Sequence, residues 1–398
     1  MLNKILNKIE FIFSEKLCLL ILMLVSFVTI LLSRYLYNYD LINQDADAYL
    51  AFAKDLNNYF YLDHQDALRV FPIVIVAAFS KVLNISAESA FYLVAYILFF
   101  LLILKTFFFF KYYKFSNYLS LTFTAILYYL HHSVLYTLFN PYQICDLLGY
   151  IYILFFFQLP KKKKILPLFL LCLISTFTKE YFLILSILSM LYQYIIFKNT
   201  RSIYYIIIFL ILFSLHFSLA SSGIENIESK SSVGYLIFSY FLNFNLFFNS
   251  FLESLIINKN IMLFFPFIIV FFFKKFINLL REYIYMLPFM MIPILFSVFL
   301  FQNVGNNFFR VFFHGYYIFI VLSLLFVGRA IDKTNVSLFF LASPIFFLLD
   351  FLYIFFNIKQ HGFFSYFQHV RFEIISGFYI FNLIFITSLF LIKKKGNE

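Results

Sequence analysis

Residues 17–36 read LCLLILMLVSFVTILLSRYL, a run whose one charge is Arg34. A bilayer core takes about 20 apolar residues as a helix, so this stretch predicts one membrane crossing. Lys4, Lys8 and Lys16 precede it. Cytoplasmic flanks collect Lys and Arg, which predicts a cytoplasmic N-terminus. No small-residue cleavage site follows, so the run reads as a retained span and not as a removed signal peptide.

The rest of the chain has the same character. Of 398 residues, 64% are hydrophobic and 12% charged, and mean hydropathy is +0.92. A soluble domain carries about 25% charged residues, so the composition excludes that class. A net charge of +11 would suggest nucleic acid in a soluble protein. Here the basic residues gather at the ends of apolar runs, as topology signals do, and no nucleic-acid partner is expected. Cys18, Cys145 and Cys172 lie in apolar stretches without metal spacing and read as packing residues.

Further apolar runs lie near 88–110, 116–134, 143–159, 165–178, 181–197, 203–220, 257–273, 283–301, 309–327, 336–356 and 373–392. Together they predict an all-α polytopic protein of about twelve spans, one transmembrane domain over 1–398. Lys111 with Lys114, Lys161–Lys164, Lys198 with Arg201, Lys274–Arg281, Arg329 with Lys333, and Lys393–Lys395 all fall on one side. That places both termini in the cytoplasm and the chain in the cell's inner (plasma) membrane.

The other side carries two longer loops, 40–87 and 221–256. The first holds Asp40, Asp45, Asp47, Asp55, Asp63 and Asp66 against Lys54 and Arg69, and is too long to be a mere connector. Within it, Ala46–Phe60 sets Tyr49, Ala53, Leu56 and Phe60 at helical spacing, the pattern of a helix lying flat at the interface. Val70–Leu83 is too short to span and predicts a second juxtamembrane helix. Residues 235–256, broken by Asn243, Asn245, Asn249 and Glu253, predict a third.

Acidic groups beside a membrane are costly, so each invites a role. Asp45 and Asp47 follow the first span, where a carboxylate could act as general base toward an acceptor hydroxyl. Asp45 could equally cap the helix that follows. Residues 165–197 must leave and return between two basic clusters in 33 residues, whereas two full crossings need about 40. The turn carrying Lys179 and Glu180 is therefore expected below the outer surface, lining the bundle or simply closing the hairpin. Arg310 and His314 lie four residues apart on one helical face, and Arg69 lies where the acidic loop re-enters the membrane. Such cations suit a lipid phosphate, or else anchor the interface. Asp146, after Asn140-Pro141, either caps the fourth span or faces the same space. His131-His132 has no acidic partner at ligand spacing and reads as interfacial.

The order of these features resembles the GT-C superfamily of membrane glycosyltransferases. One span is followed by an acidic outer loop with Asp-x-x-x-Tyr (Asp45 to Tyr49), and then by Arg69-Val-Phe-Pro72 opening a short helix. Asn140-Pro141 through Asp146, the four lysines and Thr178-Lys179-Glu180 continue the likeness, which covers about 17–200. The resemblance implies transfer of a sugar from a polyprenyl-phosphate carrier to a glycan, lipid or protein acceptor on the outer face, with inversion. It also implies that Asp45, or Asp47, serves as base or metal contact, while Arg69, Lys179, Glu180, Arg310, His314 and Asp146 bind substrate or phosphate. No cofactor is required, although the carboxylate role would admit a divalent metal. Ala46 departs from the pattern, because several members have a second acid there. A polysaccharide polymerase or ligase, and a transporter or flippase of lipid-linked sugars, are the rival readings. A polymerase is expected to carry Arg-rich outer loops late in the chain, and a transporter repeats and mid-membrane charges.

Overall fold

The computed structural model describes residues 12–36, 44–56, 68–130, 138, 141–221, 277–291 and 306–330. Among them the chain is helical, with no strand. The helices are α1 (Glu15–Leu36), α2 (Gln44–Lys54), α3 (Val70–Leu83), α4 (Ala87–Tyr112) and α5 (Asn117–Leu130). A 3-10 turn (Pro141–Gln143) leads into α6 (Ile144–Gln158), followed by α7 (Ile165–Thr178), α8 (Phe182–Phe197), α9 (Arg201–Ser221) and α10 (Asn306–Ala330).

Three of them are long and apolar enough to cross a membrane: Glu15–Ser33, Ala87–Tyr112 and Arg201–Leu219. Their exposed faces carry large apolar side chains, including Leu20, Phe27, Leu31, Ile207 and Ile211, as lipid-facing helices do. Several hydroxyls inside such helices bond to their own backbone. Thr29 donates to the Val25 carbonyl at 2.7 Å, and Thr106 to that of Leu102 at 2.7 Å. A hydroxyl satisfied in this way needs no water.

α4 is the central post, buried along Ala90, Val94, Leu98, Leu102 and Phe109, and it packs against α1, α3, α5 and α6. Ser86 caps its start by accepting from the Ser89 N–H at 3.1 Å. The turn before it passes through Asn84 at φ 52, a left-handed conformation that Asn tolerates.

Lys161 and Arg329 share one end of the bundle. Both pair with Glu282, at 3.2 and 3.1 Å. Tyr283 donates to the Tyr113 hydroxyl at 2.9 Å, and Tyr113 to the Phe157 carbonyl at 3.2 Å. Asn117 donates to the Phe13 carbonyl at 3.1 Å, bringing the start of α1 to the same end. Gln193 on α8 donates to the carbonyls of Pro160 and Lys162. Among the described residues, the clusters around Lys161 and Arg329 thus meet at one end of the packing.

α7 and α8 form the expected hairpin, turning at 179–181. Their 14 and 16 residues reach about 21 and 24 Å, short of a core of about 30 Å. The second juxtamembrane helix has the expected bounds, Val70–Leu83. The first is shorter than the spacing suggested. α2 ends at Lys54, and its buried face is Ala46, Tyr49, Phe52 and Ala53. Leu56 lies past the helix end, so it is exposed and off that face. Residue 60, the helix expected at 235–256, and the spans expected at 257–273, 336–356 and 373–392 lie outside the described residues.

Candidate functional site

The end of the bundle opposite the basic cluster holds a knot of buried charge. Its centre is the turn between α7 and α8. After Thr178 the backbone leaves the helix, with Lys179 extended (φ -152, ψ 124), so consecutive side chains diverge. Lys179 reaches α6 and pairs with Asp146, with side-chain exposures of 4% and 3%. Glu180 turns the other way to Arg69, accepting from Nε at 3.2 Å and Nη2 at 2.9 Å. This bidentate geometry matches a guanidinium fork to a carboxylate and leaves Nη1 outside the pair. Lys179 and Glu180 therefore do not close the hairpin by pairing with each other.

Each partner is placed by its own element. Arg69 is the residue before α3, whose Pro72 is helix-compatible in the first turn because no N–H partner is lost there. Asp146 lies in the first turn of α6, where a carboxylate also complements the helix dipole. Charges this deep persist only when paired, because an isolated buried ion is far too unfavourable.

Aromatic and imidazole groups wrap the knot. Tyr181, next in the turn, has its hydroxyl 2.6 Å from His314 Nδ1, while His314 Nε2 lies 3.2 Å from the Asp146 carbonyl. The His314 ring stacks on Tyr150 at 4.5 Å and 20°. A Cβ at Gly149 would stand 2.8 Å from His314 Cδ2, so only glycine leaves room for that ring. On the other flank, His216 Nε2 lies 3.4 Å from the Leu68 carbonyl, adjoining Arg69.

α2 covers this end, packing on α3, α4 and the Pro141–Gln143 turn. Tyr49 is within electrostatic reach of Arg69. Burial pushes the Tyr142 phenol up to about 12, with Glu88, Tyr92 and Asp47 acting in the same direction. Asp47 is exposed, and Asp45 lies in the first turn of α2. The helix takes Asp45 in as its second residue, where it does not occupy the cap position.

Of the residues singled out in the sequence, Arg69, Lys179, Glu180, Asp146 and His314 come together. Arg310 lies one helical turn before His314 on α10. His131 and His132 fall outside the described residues. Sequence reading missed Tyr181, Gly149 and His216, which carry no motif of their own. It also missed Lys105, which sits inside α4, bonded to Gln158 Oε1 at 2.9 Å and lying over the Phe155 ring. Among the described residues no group of three or more His, Cys, Asp or Glu could hold a metal ion. Cys18, Cys145 and Cys172 are free and buried. No protein-family model, curated protein or solved structure matches the chain.

Proposed function

We propose that the protein is a multi-pass membrane glycosyltransferase of about twelve spans. It moves a sugar from a polyprenyl-phosphate carrier to a cell-envelope acceptor on the outer face, inverting the anomeric centre. The observation that carries this reading is the juxtaposition of the buried Lys179–Asp146 pair and the part-buried Arg69–Glu180 pair with the acidic helix α2 above them. A lipid-borne donor arrives sideways from the bilayer, so its phosphate must be met by cations at membrane depth. Arg69 and Lys179 are such cations. Both are held by carboxylates in this structure, so a phosphate exchanges with Glu180 on Arg69, or binds through Nη1. Arg310, one turn from His314, is a further phosphate contact in this reading.

The acceptor hydroxyl needs a base on the water-facing side. Asp45, with Asp47 as second choice, takes its proton as the sugar's anomeric carbon is attacked from the face opposite the leaving phosphate. The bond to the carrier phosphate breaks as the new glycosidic bond forms, and the charge left on the phosphate is met by Arg69 and Lys179.

One observation favours a second reading. A fully buried Lys–Asp pair inside a helical bundle is also what an ion-coupled transporter of lipid-linked sugars would use. The two are separated by labelled polyprenyl-phosphate hexose in vesicles containing the purified chain. Appearance of label on an envelope acceptor supports transfer. Label that only changes leaflet, still on its carrier, rejects transfer in favour of transport.

A further inference from the structure

We infer that His314 is a positioning residue, which sets the Lys179–Glu180 turn through Tyr181 and contacts no phosphate. Its two ring nitrogens are already engaged, and the carbonyl partner places a proton on Nε2. The Asp146 backbone oxygen can only accept, so Nε2 carries the proton across 3.2 Å. In the neutral ring Nδ1 is then the acceptor, and the Tyr181 hydroxyl donates to it across 2.6 Å.

The ring is held in that pose from all sides. Tyr150 stacks on one face, Phe182 meets it edge-on at 5.9 Å, and Gly149 supplies the space. His314 itself is fully buried. The consequence reaches both ion pairs. Tyr181 directly follows Glu180, and its ring lies 5.3 Å from Lys179 Nζ. The backbone carbonyl that His314 grips belongs to Asp146, the partner of Lys179. One side chain on α10 thus clasps both halves of the charged cluster.

The inference deepens the proposed transfer site and rests on that reaction for one readout only. The full chain, reconstituted in phospholipid nanodiscs with ring-15N histidine, is compared with His314→Gln to assign the signals of residue 314. It is then compared with Tyr181→Phe. Transfer from labelled polyprenyl-phosphate hexose is measured for Tyr181→Phe, His314→Ala and the double variant. The inference expects an acceptor-type Nδ1 signal that moves in Tyr181→Phe. It also expects a fall in kcat of about 10- to 100-fold in each single variant, the size of a lost alignment. KM for the lipid donor should change less, and the double variant should be no worse than either single. An Nδ1 signal indifferent to Tyr181→Phe overturns it, as does a double variant whose loss is the product of the singles. A wild type that transfers nothing sinks the reaction, and the spectra then decide the clasp alone.

Discussion

Lys179 pairs with Asp146 on α6, while its neighbour Glu180 pairs with Arg69, 111 residues away in sequence. Two adjacent residues of opposite charge thus tie the α7–α8 hairpin to two different elements. The extended backbone at Lys179 makes this divergence possible.

Removing one member of the deeper pair should be severe. Asp146→Asn leaves the Lys179 ammonium buried without its counter-charge, a loss of about 3–5 kcal/mol. Replacing both, as Asp146→Leu with Lys179→Met, should recover much of that, because no lone charge remains. Thermal unfolding of the detergent-purified chain measures both. Single variants as stable as the wild type would contradict the burial argument.

Gly149→Ala should lower stability by about 1–3 kcal/mol, as overpacking does, because the new methyl meets the His314 ring. His314→Ala in the same chain should relieve the clash, so the double variant should melt no lower than His314→Ala alone. A Gly149→Ala chain that melts with the wild type would show that α10 sits elsewhere.

The two ends of the bundle should face opposite compartments. Single cysteines at residues 163 and 47, in a chain whose three buried cysteines are replaced, are probed with a membrane-impermeant thiol reagent on intact cells. Residue 47 should label and residue 163 should not. Labelling at 163, or equal labelling at both, would overturn the topology and the proposed mechanism with it.

The basic end gives a pH-dependent contribution whose sign follows from Glu282. Burial alone would raise its carboxyl, but Arg329 and Lys161 hold it below the ordinary 4.5. A depressed folded pKa contributes stability that is present above the unfolded value and lost as pH falls through the folded one. The pair is partly solvated, so its worth is about 0–1 kcal/mol. Glu282→Gln should therefore narrow the stability difference between pH 7 and pH 4, read as melting temperatures, and should leave the site end unaffected. An unchanged difference would remove Glu282 from that role.

Much of the helix layout was legible, because hydropathy and length act locally. The ends of the runs at 17–36, 88–110, 143–159 and 165–197 fall within a few residues of the helices. The hairpin could be deduced by counting residues between basic clusters. The candidate charges were legible as costly residues near membrane ends. Their pairing was not, because Arg69 with Glu180 and Lys179 with Asp146 are long-range contacts fixed by helix packing. Gly149 and Tyr181 were invisible for the same reason: each meets His314, which arrives from α10. Lys105 escaped notice because a single Lys in an apolar run signals nothing until Gln158 and Phe155 are seen around it.

The central claim is that an acid on α2 acts as base above the buried cation cluster. Its most direct measurement is transfer from labelled polyprenyl-phosphate hexose in membranes matched for protein level, comparing wild type, Asp45→Asn, Asp47→Asn and Arg69→Ala. Loss of a general base lowers the rate by about 10²–10⁴-fold, and Asn keeps the size of Asp without its basicity. The account predicts that loss in Asp45→Asn, a smaller one in Asp47→Asn, and weakened use of the lipid donor in Arg69→Ala. Full activity in both Asp45→Asn and Asp47→Asn would contradict it.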